Sequence, residues 1–414
     1  MFTVPQTDAR RHDEAGLAIV NAAIFDGDSE RLLDGPLVMR FGRIESIGER
    51  FRPGDRLIDA EGGTVVPGLV DAHCHAYATG QHTLDIEASH LSYVALVGAA
   101  RLRAALRRGF TTVRDVAGGD AGLARAVAEG RITAPRYLFT GPGLSQTGGH
   151  GDPRPGHWDM CTLTGHTAQV VDGVENLRVA ARERFRQGAH AIKIMASGGV
   201  VSPADPLRAP QYSAEEIRAV TAEAERRGSY VAAHAYSPEA IVHAVVNGVR
   251  SVEHGNLLDA HSAQIMREHA AFLVPTLAAY DAMDRLGSQV GLPHYARDKN
   301  REVLHAGLRS LEVARDEGVE VGFGSDLMGD LESEQLQGLR LQTEVMGVLE
   351  TLRSATSRNA RLLGLPEVGR IAVGGVADVL VLPGDPFSDA SCLWTPRPGR
   401  YVVQAGVVVS ETGT

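Results

Sequence analysis

The middle of the chain repeats one pattern: a segment with helical spacing, then a glycine, then a short apolar run. The glycines are Gly109, Gly188, Gly228, Gly248 and Gly318, and the apolar runs after them begin at residues 110, 191, 230, 251 and 320. A glycine just beyond a helix end adopts the left-handed backbone that other residues resist. The helix before Gly228 also begins with a capping box, formed by Ser213 and Glu216. This alternation predicts βαβ units and a parallel sheet.

Eight candidate strands can be counted, spanning residues 65–73, 110–116, 136–141, 191–196, 230–235, 251–254, 272–277 and 320–325. Eight parallel strands that alternate with helices predict an α/β fold of the (β/α)8 TIM-barrel type. The alternative is a doubly wound open sheet. It is less favoured because no glycine-rich nucleotide fingerprint follows the first strand.

Both ends of the chain differ from this middle part. Residues 17–64 and 366–414 consist of short apolar strands separated by turn signals such as Asp26-Gly27. We therefore predict a small β-sandwich domain built from both termini, residues 1–66 and 366–414, with the catalytic barrel of residues 67–365 inserted between them.

Composition excludes several classes of protein. The 414 residues carry a net charge of −10 without a basic stripe, so we expect no nucleic-acid partner. Residues 1–16 lack the apolar core of a signal peptide, and no apolar stretch approaches the roughly 18 residues that span a membrane. The cysteines, Cys74, Cys161 and Cys392, are odd in number and scattered. They argue against a disulfide framework and predict a cytoplasmic protein.

Lysine is almost absent from this chain. Of 41 Lys and Arg residues only Lys193 and Lys299 are lysines, and Lys193 lies in the apolar run 191–196. Burying an ammonium costs several kcal/mol unless it is paired or discharged, and a discharged lysine can react as an amine. With CO2 it forms a carbamate, which can bridge two metal ions. The alternatives are a buried lysine paired with an acid, or a lysine kept by chance.

Polar side chains that can bind metal lie at the ends of the predicted strands. They are His73 and His75 on the first strand, Lys193 on the fourth, His234 on the fifth, His254 on the sixth and Asp326 on the eighth. Residues two apart on a strand point to the same side, and barrel active sites lie at the C-terminal ends of the strands. The set predicts a metal site, for which Zn²⁺ is the best candidate and Mn²⁺ or Co²⁺ are alternatives.

This His-x-His pair, with one lysine, two further histidines and an aspartate on later strands, resembles the amidohydrolase superfamily. Segments 108–115, 145–150, 192–200, 233–236 and 253–256 resemble its binuclear prolidase and metallocarboxypeptidase branch. That branch also includes ochratoxin-cleaving amidases and is related to the imidazolonepropionases. The resemblance implies that His73, His75 and Asp326 hold one metal ion and that His234 and His254 hold the second. It also implies that a carbamate on Lys193 bridges the two divalent ions. The same resemblance implies that the protein forms a homo-oligomer.

The reaction expected from this resemblance is hydrolysis of a peptide or amide bond in a small-molecule substrate. We expect Asp326 to act as general base and then as general acid, its alternative role being metal ligation alone. His150 and Tyr236 are expected to contact the substrate. Arg208 could recognise a carboxylate or lie on a solvated loop. The loop of residues 153–167 is expected to cover the site.

Four functions remain open at this point. The first choice is an Xaa-Pro dipeptidase of the prolidase type. The second is an amidase or carboxypeptidase acting on another N-acyl amino acid, such as an ochratoxin-like amide. A non-catalytic scaffold is disfavoured because all six metal-binding residues are present. A mononuclear deaminase is disfavoured because such enzymes lack the bridging lysine.

Overall fold

The computed structural model describes residues 15–154, 165–202 and 205–412. Its strands are β1 Leu17–Val20, β2 Ala23–Ile24, β3 Leu33–Asp34, β4 Leu37–Arg40, β5 Arg43–Ile47, β6 Arg56–Asp59, β7 Thr64–Pro67, β8 Leu69–Cys74, β9 Phe110–Asp115, β10 Arg136–Phe139, β11 Gly143–Ser145, β12 Ala168–Val170, β13 Ile192–Met195, β14 Val231–Ala235, β15 Ser251–His254, β16 Phe272–Val274, β17 Glu320–Val321, β18 Val379–Leu382, β19 Tyr401–Gln404 and β20 Val407–Glu411.

The α-helices are α1 Thr83–Ala88, α2 Leu91–Arg107, α3 Ala121–Ala128, α4 Val174–Arg186, α5 Ala214–Arg226, α6 Pro238–Val246, α7 Ala260–Glu268, α8 Leu277–Leu286, α9 His294–Asp316, α10 Gln337–Arg353 and α11 Asn359–Leu363. Two 3₁₀ segments, Gly329–Leu336 and Ala390–Leu393, and one π segment, Ser354–Arg358, complete the helical structure of the described residues. None of the helices in this part of the chain is both long enough and apolar enough to cross a membrane.

Strands from both ends of the chain form two sheets that pack face to face. One sheet has the order β5-β4-β1-β6 and the other β20-β19-β18-β7-β2-β3. The late strand β18 pairs antiparallel with the early strand β7. Ile19, Met39, Val65 and Val379 are among the buried residues that fill the space between the sheets. The predicted β-sandwich built from both termini is confirmed, whereas its exact limits, 1–66 and 366–414, stay a prediction.

The barrel strands run parallel in two hydrogen-bonded groups, β10-β9-β8 and β12-β11-β13-β14-β15-β16-β17. Backbone hydrogen bonds join the groups at both seams. The His190 amide donates to the Phe139 carbonyl at 2.8 Å, and the Ala72 amide donates to the Phe323 carbonyl at 2.9 Å. The (β/α)8 barrel predicted from the alternation of helix, glycine and strand is therefore confirmed.

The local signals behind that prediction are also present. Each of the five glycines that follow a helix has a positive φ, between 63° at Gly228 and 104° at Gly109. Ser213 and Glu216 form both halves of the capping box at the start of α5. These features end and begin the helices at the positions where the chain must turn back into the barrel.

The first predicted strand, residues 65–73, is wrong in one respect, because the structure divides it at Gly68. Residues before the glycine form β7 in the sandwich, and residues after it form β8 in the barrel. A Cβ at Gly68 would lie 2.2 Å from Thr111 Oγ1, so only glycine lets the chain pass here. The sequence shows one apolar run because both halves are buried, although in different domains.

Buried polar contacts join the two domains below the barrel. Arg136 Nη1 lies 2.9 Å from Asp378 Oδ2, and both side chains are less than a tenth exposed. Gln404 donates to the carbonyls of Thr111 and Ala134 at 3.3 and 3.2 Å. The sandwich is thus attached to the end of the barrel where strands β9 and β10 begin, opposite the C-terminal ends of the strands.

Candidate metal centre

The six predicted metal-binding residues line one pocket at the C-terminal end of the barrel. His73, His75, Lys193, His234, His254 and Asp326 all contribute to its wall, around a cavity of about 120 Å³. Donor atoms of His73, His254 and Asp326 lie within 4.8 Å of one another. Strands far apart in the sequence therefore bring the set together, as their shared position at strand ends predicts.

His73, His75 and Asp326 form the tightest group. The two Nε2 atoms are 3.2 Å apart, and Asp326 Oδ1 lies 3.3 Å from His73 Nε2 and 2.8 Å from His75 Nε2. The other ring nitrogens face acceptors: His73 Nδ1 lies 2.7 Å from Glu253 Oε2, and His75 Nδ1 lies 3.2 Å from the Ala117 carbonyl. When each Nδ1 carries the ring proton and donates it to its acceptor, each Nε2 is left with a lone pair. The two lone pairs then face each other.

Such a group of lone pairs suits a divalent ion. Atoms bound to an ion at 2.0–2.1 Å are separated by roughly 2.8–3.4 Å at octahedral to tetrahedral angles. The three separations of this group, 2.8, 3.2 and 3.3 Å, are close to that range. Burial opposes ionisation of Asp326, but the imidazoles, with His73 first, hold its pKa well below the ordinary value. The carboxylate is therefore anionic and available as a ligand.

Glu253 and Arg114 orient His73 from below. Glu253 Oε1 accepts a hydrogen bond from Arg114 Nη2 at 2.8 Å, and neither side chain is exposed. Burial alone would raise the pKa of Glu253, but Arg114 and His73 lower it. An anionic Glu253 keeps the proton of His73 on Nδ1, which leaves Nε2 free to bind metal. Neither residue was predicted from the sequence, although a glutamate and an arginine inside short buried strands are a signal for such a pair.

The second group consists of His234 and His254, whose ring centroids are 4.5 Å apart. His234 Nε2 lies 2.9 Å from the Gly198 carbonyl, which leaves Nδ1 as the lone pair. His254 Nδ1 lies 2.8 Å from Thr276 Oγ1 and 2.9 Å from the Tyr280 hydroxyl, so Nε2 remains available. Burial holds the pKa of both histidines well below the ordinary value. Both rings are thus neutral and able to act as ligands.

Two of the candidate ligands have an unusual backbone. His254 has a φ of 76° and Asp326 a φ of 52°, in the left-handed region that residues other than glycine rarely adopt. At His254 this conformation breaks the alternation of a strand. Consecutive residues Glu253 and His254 can therefore both contribute to the site, one from below and one from its rim.

Lys193 is 2% exposed and lies among the other candidate ligands. Burial lowers the pKa of its ammonium to about 8, although the carboxylates of Glu253 and Asp326 oppose this shift. About a tenth of the side chain is then an unprotonated amine at pH 7. That form is the one that reacts with CO2.

The predicted substrate contacts have different outcomes. His150 stacks on His234 with 4.1 Å between ring centroids, and Tyr236 is 2% exposed with its hydroxyl 2.8 Å from the Tyr280 hydroxyl. His150 and Tyr236 both line the pocket. Arg208 does not: its side chain is 60% exposed and lies 3.7 Å from Glu302. No arginine is among the described residues that line the pocket.

Tyr280 was not singled out from the sequence. It lies in the first turns of α8, directly after barrel strand β16, and its hydroxyl contacts both Tyr236 and His254. A tyrosine that follows a barrel strand inside an otherwise apolar run is a signal that could have identified it. Most of the loop expected to cover the site, residues 155–164, lies outside the residues that the structure describes.

Comparison with known proteins identifies the class to which this fold and metal centre belong. Residues 64–409 match the amidohydrolase family, so the chain is a member of that family. It is 29% identical to ochratoxinase from Aspergillus niger in an alignment of 430 positions, which covers 97% of this chain and 88% of that protein.

Two solved structures are similar over almost the whole chain. A prolidase in complex with N-methylphosphonate-L-proline has a TM-score of 0.92 and 41% identity, covering 96% of this chain and 100% of that one. An Xaa-Pro dipeptidase with bound methionine has a TM-score of 0.85 and 28% identity, covering 95% and 99%. The resemblance inferred from the sequence is confirmed, and the protein is a hydrolase of the amidohydrolase family.

Proposed function

We propose that the protein is a binuclear metal-dependent hydrolase that cleaves the peptide or amide bond of dipeptides or N-acyl amino acids, with Xaa-Pro dipeptides as the first substrates to test. The observation that carries this proposal is the arrangement of lone pairs in the pocket. His73, His75 and His234 each have one ring nitrogen hydrogen-bonded to a buried acceptor, which leaves the other nitrogen as the lone pair, and all three rings line the pocket. Asp326 and Lys193 complete the set.

In this proposal His73, His75 and Asp326 would hold one ion, His234 and His254 would hold the other, and a carbamate on Lys193 would supply oxygen ligands to both. Imidazole and carboxylate ligands favour Zn²⁺. Two such ions, when bound, would lower the pKa of a shared water and polarise the carbonyl of the substrate. A carbamate would also replace a cation in the pocket with an anion, which removes the repulsion between a lysine ammonium and the ions.

Asp326 is the group placed to move a proton. Its Oδ1 faces the imidazoles of His73 and His75, while its Oδ2 lies 3.6 Å from His254 Nδ1. We assign it the role of base toward the attacking water and then of acid toward the leaving nitrogen. His150 and Tyr236, whose rings both lie against His234, would bind the carbonyl or carboxylate of the substrate.

The walls of the pocket indicate the kind of substrate. Val200, Ala279, Met283, Leu327 and Leu331 line one side and belong to one buried apolar cluster. Such a wall favours an apolar side chain or a proline ring over a charged group. The similarity to a prolidase bound to a proline phosphonate supports Xaa-Pro dipeptides. The similarity to ochratoxinase supports the second candidate, another N-acyl amino acid such as an ochratoxin-like amide.

Carbamate formation can be tested directly because the chain has only two lysines. Purified protein loaded with Zn²⁺ in ¹³C-bicarbonate should show one carbamate signal by NMR and two equivalents of metal by elemental analysis. The signal should disappear in Lys193→Arg and remain in the matched control Lys299→Arg. A signal that persists in Lys193→Arg, or one metal equivalent in the parent protein, would contradict the binuclear assignment.

The reaction is tested separately with Xaa-Pro dipeptides and N-acyl amino acids that carry apolar or charged side chains. Release of free amino acid from the apolar members of either set is expected. Hydrolysis of neither set by fully metal-loaded protein would refute the proposed substrate class. A cytoplasmic location and a homo-oligomeric state remain part of the proposal, the first from the odd number and scattered positions of the cysteines and the second from the family resemblance.

A further inference from the structure

The second lysine of the chain has an unusual environment. Lys299 lies on α9, and its ammonium donates to three backbone carbonyls: Gly199 at 3.0 Å, Ser202 at 2.8 Å and Asp205 at 2.9 Å. All three carbonyls belong to the loop that follows β13, the strand of Lys193. The side chain is 22% exposed and also lies 4.0 Å from Asp205 Oδ1. Lys299 thus satisfies every N–H of its ammonium within one loop.

That loop contacts three residues of the pocket. The Gly198 carbonyl lies 2.9 Å from His234 Nε2, and Ser197 Oγ accepts from the Tyr236 amide at 3.1 Å. Ser202 Oγ lies 2.9 Å from His150 Nδ1. The loop therefore orients one proposed metal ligand and both proposed substrate contacts from a single backbone segment.

The fit between the loop and His150 is close. A Cβ at Gly199 would lie 2.0 Å from the His150 ring, so the ring packs directly on the loop backbone. Asp205 Oδ2 accepts from the Gly199 amide at 3.0 Å and from Gln211 Nε2 at 3.2 Å. Gln211 Oε1 in turn accepts from the His150 amide at 3.0 Å. A shift of the loop would move His150 with it.

The chemistry of these contacts explains why this basic residue is a lysine. An ammonium carries three donors around one nitrogen and can reach three carbonyls that converge on a point, whereas a guanidinium holds its donors in a plane. The chain uses arginine for all but two of its 41 Lys and Arg residues. Lys299 is one of these two lysines, and it lies at a position that arginine cannot fill.

We propose that Lys299 is a positioning residue that fixes residues 197–202 and, through them, His150 and Tyr236 against the metal centre. Lys299 itself lies outside the pocket wall and acts only through the loop. The kinetic part of this proposal rests on the proposed function, whereas the restraint on the loop does not.

The first test is hydrogen exchange of residues 197–202 in the metal-loaded protein, followed by mass spectrometry. Lys299→Met should exchange faster than the parent in this segment, with the Gly199 amide among the affected sites, and Lys299→Arg should not restore protection. The matched control is Arg301→Met on the same helix, where the arginine pairs at the surface with Asp298. Unchanged exchange in Lys299→Met would overturn the proposal whether or not a substrate has been identified.

The second test is kinetic and uses whichever dipeptide or N-acyl amino acid the parent hydrolyses. Lys299→Met should lose roughly 10- to 100-fold in kcat/KM, largely through KM, while both metal equivalents remain bound. In Lys299→Ala, added n-propylammonium should restore part of the loss, which a merely misfolded variant would not show. Faster exchange with unchanged kcat/KM would refute the positioning role. If the parent hydrolyses no substrate, the proposed function fails and the exchange result alone decides the restraint.

Discussion

Replacing Glu253 with glutamine tests how far the buried pair beneath the site controls metal binding. Glu253 accepts hydrogen bonds from Arg114, His73 and Ser251 at 2.8, 2.7 and 2.5 Å. Glutamine keeps the shape but replaces one acceptor oxygen with a donor. The new N–H₂ group must face either Arg114 or His73, and each of these already donates.

The magnitudes decide which arrangement the variant adopts. Loss of the Glu253 charge costs about 3–5 kcal/mol in either arrangement, because the buried Arg114 loses its counter-ion. Turning the N–H₂ group toward Arg114 adds the loss of its acceptor, at about 1–3 kcal/mol more. Turning the N–H₂ group toward His73 instead moves the imidazole proton to Nε2, where it competes with the metal ion. Loss of such an outer partner typically weakens metal binding by roughly 10- to 100-fold, equivalent to about 1.4–2.7 kcal/mol. The second arrangement costs less, so weaker metal binding is the expected result.

The assay is a competition titration of metal-free Glu253→Gln against a chromophoric Zn²⁺ chelator, with urea denaturation of the same protein to measure stability. Glu129→Gln is the control, because Glu129 forms an exposed ion pair with Arg125 and should change neither metal affinity nor stability by more than about 1 kcal/mol. Parent-like Zn²⁺ affinity in Glu253→Gln would refute the proposed control of the His73 tautomer.

Four other predictions concern single residues. Asp326→Asn should lower kcat by roughly 10²- to 10⁴-fold; near-full turnover with both metals bound would remove its acid–base role. Tyr280→Phe deletes hydroxyl contacts of 2.9 Å to His254 and 2.8 Å to Tyr236 and should lower kcat/KM by about tenfold or less. Arg208→Ala should leave KM within about twofold in steady-state assays, since Arg208 lies outside the pocket; a much larger rise would restore its predicted substrate contact. Burial, together with Arg114, lowers the pKa of His190 to about 3. The unfolded chain therefore binds an extra proton between that pH and about 6.5, and acidification through this window destabilises the fold. His190→Phe should make the free energy of unfolding less dependent on pH there, by at most about 1.4 kcal/mol per unit in urea titrations.

The fold was predictable because its signals are local. A left-handed glycine after a helix and an apolar run before a polar residue can be read within a few positions, and they located His234 and His254 at strand ends. The division of the first strand at Gly68 was not predictable in this way. It depends on pairing between β7 and β18, which are distant in the sequence.

The site shows the same limit. Residue type and position at a strand end indicated the candidate ligands, but they did not show which atom each side chain directs toward the centre. That depends on partners such as Glu253, Ala117 and Gly198, which come from other parts of the chain. Arg208 could face the substrate or the solvent as far as the sequence could tell, because a loop residue after β13 can point either way. Its side chain is 60% exposed and lies beside Glu302.

The junction at Gly68 has a consequence for the order in which the protein is assembled. Strand β7 continues directly into β8, which carries His73, and the Gly68 amide donates to the Asp378 carbonyl at 2.9 Å. Strand β7, which leads into the His-x-His strand, is therefore paired with β18, and β18 to β20 all follow the barrel in the sequence. During synthesis those strands emerge from the ribosome after all of the barrel strands. We expect a nascent barrel without them to bind metal poorly, so that the enzyme becomes competent only after its C-terminal strands have emerged and paired.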